Sequence, residues 1–175
     1  YTQISRNEPA KDTARVLSRY IDCLAMRTFD HELVQEFAQT STIPVINALT
    51  DSFHPCQILS DIMTVIEHKG GYENVKIAWV GDGNNVANSW VNAASVLGLD
   101  LIVACPDGHH IKPGIIDASG ADTKKNIVFT NDPKEAVKGA DVVYTDVWAS
   151  MGEEDQLEGR LAAFKGFQVN EELLK

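Results

Sequence analysis

Cysteine is scarce in this chain, and the little there is forms no pattern. The three thiols, Cys23, Cys56 and Cys105, lack the close pairing of a zinc site, and their odd number argues against a disulfide framework. A reducing compartment, the cytoplasm, is the expectation. Positive charge is also in deficit. Fifteen Lys and Arg against 25 Asp and Glu leave a net charge of −10, which argues against nonspecific grip on nucleic acid or on an anionic membrane. An anionic ligand therefore needs local cations or backbone donors working against the global field. No apolar run reaches transmembrane length, and no segment reads as a signal peptide. Internal repeats and low-complexity stretches are missing too. Glycine at 12 and proline at 6 are ordinary, and an apolar fraction of 44% fits a soluble protein. A chain of 175 residues makes one to two small domains, burying about two thirds of its unfolded surface. The opening Tyr1-Thr2-Gln3-Ile4-Ser5-Arg6 reads as mid-protein sequence, so a fragment is expected.

What is present alternates between strand and helix. Ala14, Val16, Leu17 and Ile21 predict a helix over 12–21, and Leu24-Ala25-Met26 is a short apolar run ending at Arg27. A second helix is expected over 30–40, then a strand over 43–48 and a turn at 50–52. This first part resembles half of an α/β domain with two visible strands. Ile58, Leu59, Ile62, Met63, Val65 and Ile66 recur at helical spacing, so a helix runs from Pro55 to Lys69 and stops at Gly70-Gly71. Strands are expected at 75–80, 99–104, 126–129 and 141–145, with helices after residues 86, 113 and 132. The last strand is so apolar that it should be central and covered on both faces. The pattern over 75–147 is a doubly wound parallel sheet with right-handed crossovers. The expected organisation is a partial α/β domain over 1–52, a connecting helix over 53–69, and a second α/β domain over 70–175.

His54-Pro55-Cys56-Gln57 is the most informative segment. Pro55 suits the first helical position, with Ser52 or His54 at the start. His54 and Gln57 then lie near free N–H groups at the positive end of the helix, a setting for a phosphate or a developing oxyanion. The alternative is an ordinary helix start whose polar side chains face water. Arg27, at the end of an apolar strand, could clamp a phosphate or carboxylate with its planar fork, or be an ordinary surface arginine. Asn85 and Asp146 follow strands of the second sheet, where ligands of open parallel sheets gather. A carboxylate opposite an asparagine suits an amino group, and backbone amides near Ser150 and Met151 could hold a carboxylate. Together they read as a receptor for an amino acid zwitterion. Asp146 as a loop acceptor and Asn85 as a left-handed turn residue remain the alternatives. Gly81-Asp82-Gly83 is a weak nucleotide signal, because the third glycine of the fingerprint would be Val86. His109 and His110 read as a solvated loop, and His31 and His68 as surface helix residues.

Four segments carry a resemblance: Glu8-Pro9-Ala10-Lys11-Asp12-Thr13-Ala14-Arg15-Val16-Leu17-Ser18-Arg19, His54 to Asp61, Gly81 to Ser89, and Asp146-Val147-Trp148-Ala149-Ser150-Met151-Gly152. In their order and spacing they resemble the aspartate/ornithine carbamoyltransferase family, over essentially the whole chain. His-Pro-x-Gln marks the family and Ser-Met-Gly its ornithine branch. The resemblance implies that Arg27, His54 and Gln57 bind carbamoyl phosphate, with Arg27 neutralising the phosphate and His54 donating to the carbonyl oxygen. It implies that Asn85, Asp146, Ser150 and Met151 hold the α-amino and α-carboxylate groups of L-ornithine. The implied reaction gives citrulline and phosphate with no metal or redox cofactor, in a homotrimer. Two family motifs have no counterpart here: a Ser-Thr-Arg-Thr-Arg phosphate loop expected before residue 1, and a His-Cys-Leu-Pro motif expected after Lys175. The 175 residues alone are therefore expected to be inactive. The rival readings are a transferase for another amine, such as putrescine, and a noncatalytic amino acid-binding or structural piece.

Overall fold

The computed structural model describes residues 8–121, 125–148 and 157–175. The chain divides between Cys56 and Gln57 into two compact units.

In the first unit, α1 (Ala10–Leu17) packs on α2 (His31–Thr40), and β1 (Leu24–Arg27) pairs in parallel with β2 (Val45–Leu49). Ala14, Val34 and Phe37 form its small buried core. Asp30 caps α2, its carboxylate accepting from the amides of Glu32 and Leu33, which offsets two of the donors a helix start leaves unpaired. The first helix stops four residues before the sequence pattern predicts. Ser18 Oγ donates back to the carbonyl of Ala14, and the amides of Arg19 and Tyr20 bond three residues back, tightening the end of the helix. The strand expected from residue 43 begins only after Pro44, which has no N–H for a ladder.

Helix α3 (Pro55–Lys69) has the bounds that its apolar spacing predicts, and the Gly70 amide bonds to the carbonyl of Ile66 with φ at +82°. Its apolar positions separate into two stripes. Ile58, Ile62 and Val65 are buried, whereas Leu59, Met63 and Ile66, one position on, are exposed.

The second unit carries a four-stranded parallel sheet in the order β5-β4-β3-β6, built from β3 (Lys76–Val80), β4 (Asp100–Ala104), β5 (Ile127–Thr130) and β6 (Val142–Tyr144). Side chains of β3 alternate between two cores. Ile77 and Trp79 pack with α4 (Asn85–Leu97) and the buried stripe of α3, while Ala78 and Val80 pack with Ala136 of α6 (Pro133–Val137) and with Phe164 and Phe167. The short helix α5 (Pro113–Ser119) joins β4 to β5, and α7 (Leu157–Ala163) follows β6.

One expectation is reversed. Among the described residues, β6 lies at the edge of the sheet and its residues are only half-buried, whereas β3 holds the middle. The chain leaves β3 toward β4 and β5, then returns to the opposite side of β3. An apolar run reports that its faces are covered, not its place in the strand order.

Candidate functional site

Arg27 ends β1. The β1–β2 register shifts between Met26 and Arg27, so that Arg27 pairs with Leu49 rather than with the next residue in step. Such irregularities re-aim a side chain, and Arg27 is exposed at the carboxyl end of the strand. His54 follows the carboxyl end of β2 through a closed turn. The Thr50 amide donates to the carbonyl of Phe53 at 2.8 Å, and the Phe53 amide donates to Thr50 Oγ1 at 3.1 Å. Thr50 is fully buried, and its hydroxyl also meets His31 Nδ1 at 3.1 Å. His31 is thus no surface residue: it is half-buried, edge-on to Phe53 with ring centroids 5.1 Å apart. The turn delivers a half-buried His54 immediately before Pro55, the first residue of α3. In this unit the two residues implied to meet the phosphate and carbonyl both follow carboxyl ends of parallel strands.

In the second unit the strand order reverses between β3 and β6, which places a crevice beyond their carboxyl ends. The Gly81 to Asn85 turn leaves β3 there. Gly83 is required by close approach, since a Cβ would collide with the backbone of His109, His110 and Ile111, and its amide donates to the carbonyl of His109 at 2.8 Å. Asn84 caps α4, its Oδ1 accepting from the amides of Val86 at 3.0 Å and Ala87 at 3.1 Å. Asn85 is therefore the first helical residue and not a left-handed turn residue. The Asn84 Nδ2 donates to Asp146 Oδ2 at 3.0 Å, and Asp146 Oδ1 accepts from the amide of Val147 at 2.8 Å. Asp146 is half-buried.

Gln57 comes to the same unit from the first turn of α3. Its Nε2 donates to Asp61 Oδ1 at 2.9 Å. Tyr144, at the end of β6, stacks on Trp79 at 5.4 Å between centroids and meets Trp90 edge-on at 5.5 Å. Burial pushes its hydroxyl pKa well above the ordinary phenol range, the Asp61 and Asp146 carboxylates push it the same way, and Gln57 lowers it. Tyr144 is thus a neutral phenol between two carboxylates. The crevice end of this unit holds Asn85 beside an anionic, half-buried set, a chemistry that favours a cationic amine.

Three of these residues carry only a faint signal in the sequence. Asn84 was hidden in a predicted turn, although an asparagine just before a helix is a cap signal. Asp61 lies four residues after Gln57 on one helical face, a pairing that was legible. Tyr144 reads as apolar strand until its hydroxyl is placed. His109 is also not solvated: its ring lies 4.8 Å from that of Phe164, with Nδ1 3.6 Å from Asp82 Oδ1. Ser150 and Met151 lie outside the described residues. Among the described residues no group of three or more His, Cys, Asp or Glu side chains could gather a metal ion, and no helix is long and apolar enough to cross a membrane.

Comparison with known proteins gives matches along the chain. The sequence model of the aspartate/ornithine carbamoyltransferase carbamoyl-P binding domain matches residues 1–67, and that of the Asp/Orn binding domain matches residues 73–175. Ornithine carbamoyltransferase from Geobacter metallireducens is 53% identical over 99% of this chain and 57% of its own length. The enzyme of the same name from Desulfotalea psychrophila is 57% identical over the same shares. The solved structure of ornithine carbamoyltransferase from Pyrococcus furiosus superposes with a TM-score of 0.89 at 47% identity, covering 99% of this chain and 56% of that one. The chain thus spans little more than half the length of the relatives it matches. With both domain models matched in order, it belongs to the aspartate/ornithine carbamoyltransferase family.

Proposed function

We propose that this sequence forms part of an ornithine carbamoyltransferase. The enzyme would transfer the carbamoyl group of carbamoyl phosphate to the δ-amine of L-ornithine, giving L-citrulline and phosphate. The observation that carries the ornithine half is the Asp146 carboxylate, held by Asn84 beside Asn85 where the strand order reverses. A half-buried carboxylate whose oxygens each accept only one of the protein hydrogen bonds described keeps acceptor capacity for an ammonium. In this reading Asn85 and Asp146, with Ser150 and Met151, take the α-amino and α-carboxylate groups.

Arg27 neutralises the phosphate and shares in polarising the carbonyl, His54 donates to the carbonyl oxygen, and Gln57 orients the carbamoyl amide. The deprotonated δ-amine attacks the carbonyl carbon, the C–N bond forms, and the tetrahedral adduct expels phosphate as the C–O bond breaks, the proton lost from the amine nitrogen ending on the phosphate. Most of the acceleration comes from holding two substrates together and from donors aimed at the developing oxyanion. The net charge of −10 favours the cationic substrate and leaves the anionic one to local donors. A cytoplasmic homotrimer is the assembly this reading expects of the whole protein.

Titration of the protein with L-ornithine and with putrescine tests the acceptor half. Ornithine should bind, and Asp146→Asn should weaken it at least tenfold, the loss of a charge-assisted hydrogen bond. Putrescine binding as tightly as ornithine would point to a transferase for another amine. In a longer protein carrying this sequence, failure to form citrulline from carbamoyl phosphate and ornithine would reject the assignment.

A further inference from the structure

Gln57 and Asp61 lie one turn apart on α3, joined by the 2.9 Å bond from Gln57 Nε2 to Asp61 Oδ1. A carboxamide offers a donor on one side and an acceptor on the other, and a flip exchanges them. An ionised carboxylate only accepts, so Asp61 can be faced by the nitrogen alone. The amide oxygen of Gln57 is then turned away from Asp61. Charge assistance makes this bond roughly twice as strong as a neutral one, which holds the flip. The Tyr144 hydroxyl faces the same pair, and Tyr144 is itself fixed by its ring contacts with Trp79 and Trp90. All these groups belong to the second unit.

We propose that Asp61 is a positioning residue that sets the flip of Gln57, so that Gln57 offers an acceptor oxygen to the N–H of a carbamoyl group. This rests on the carbamoyl phosphate reading above and adds a selection rule to it. A ligand with a methyl group in place of the amino group leaves the Gln57 oxygen unpaired and is disfavoured.

In a longer protein carrying this sequence, the test compares equilibrium binding of carbamoyl phosphate with that of acetyl phosphate, which carries a methyl group where the carbamoyl group carries its nitrogen. The unsubstituted protein should prefer carbamoyl phosphate by about tenfold or more. Asp61→Asn allows either face of Gln57 to turn inward, so the preference should fall to about threefold or less while acetyl phosphate binding stays unchanged. Asp61→Glu, which keeps a carboxylate, should restore the preference. A role confined to folding would weaken both ligands alike, and that result overturns the proposal. A full preference retained in Asp61→Asn overturns the proposal. So does an unsubstituted protein that binds both ligands equally well. If it binds neither better than inorganic phosphate, the carbamoyl phosphate reading itself fails. Should Asp61→Asn not fold, side-chain amide NMR of the unsubstituted protein decides. The Gln57 Nε2 signals should shift as a carboxylate titrates, and a pH-independent signal overturns the proposal.

Discussion

The Asn84 carboxamide acts in two directions: Oδ1 closes the first turn of α4, and Nδ2 donates to Asp146 at 3.0 Å. One side chain thereby ties the helix after β3 to the carboxylate after β6. Asn84→Ala should cost about 1–2 kcal/mol through loss of the cap. Asn84→Asp keeps the cap acceptor but sets a second carboxylate against Asp146. The pair's folded pKa should rise above the unfolded value, so its stability should be fullest below about pH 4 and fall as pH rises. Urea denaturation of both variants at pH 5 and pH 8 checks this. An Asn84→Asp protein with the same relative stability at both values would show that the 3.0 Å contact does not persist in solution.

Arg160 Nη1 donates to Asp82 Oδ2 at 2.7 Å and to the carbonyl of Trp148 at 2.9 Å, with both charged side chains almost fully buried. Removing one partner leaves the other charge buried. Arg160→Met should destabilise the protein by about 3 kcal/mol, and adding Asp82→Asn should recover part of the loss. Thermal unfolding reads both, at roughly 2–4 °C per kcal/mol for a chain of this size. A single variant with an unchanged transition temperature would mean that the pair contributes little.

Cys105 is buried and Cys23 exposed. Burial, reinforced by the Asp82 carboxylate, pushes the Cys105 thiol pKa up to about 12. The thiolate is the reactive form, so a thiol reagent at pH 8 should label Cys23 and spare Cys105 until the protein is denatured. The folded pKa lies above the unfolded value, so the contribution of Cys105 to stability is complete below about pH 9 and is lost as pH rises toward 12. Mass spectrometry of the labelled protein decides. Equal labelling of both thiols in the folded state would contradict the burial.

His54→Ala, in the whole protein, should chiefly lower kcat, by roughly 10–1,000-fold, if its hydrogen bond to the carbonyl oxygen forms most strongly in the transition state. KM for carbamoyl phosphate should move less. Steady-state kinetics separates the two, and an unchanged kcat rejects the role.

Local elements of this protein were legible wherever neighbours along the chain decide the outcome. The bounds of α3 followed from Pro55, the 3.6-residue spacing of Ile58, Ile62 and Val65, and Gly70. The helices α5 and α6 begin at Pro113 and Pro133, the second behind the Asp132 cap. His31 and His109 look solvent-facing in the sequence for one reason: each sits on a segment that looks polar, and each is covered by an aromatic ring, Phe53 or Phe164. The strand at 141–145 looks central because its composition is apolar, but strand order depends on where the connections return, and among the described residues it lies at the edge.

From short-range patterning alone come the alternation of strand and helix, the parallel sheet, the helix start at Pro55 and the polar residues that follow the strands. Those are set by backbone φ, hydrogen-bond satisfaction and side-chain period, which act over a few residues. The partnerships that cross the sheet came from folding. Asn84 meets Asp146 across 62 residues of sequence, Arg160 meets Asp82 across 78, and Tyr144 at the end of β6 faces Asp61 and Gln57 on α3. No periodicity encodes such pairs, because their distance depends on strand order and helix packing. The flip of Gln57 joins both scales: its partner is one helical turn away, and the folded sheet brings Tyr144 to the same two side chains.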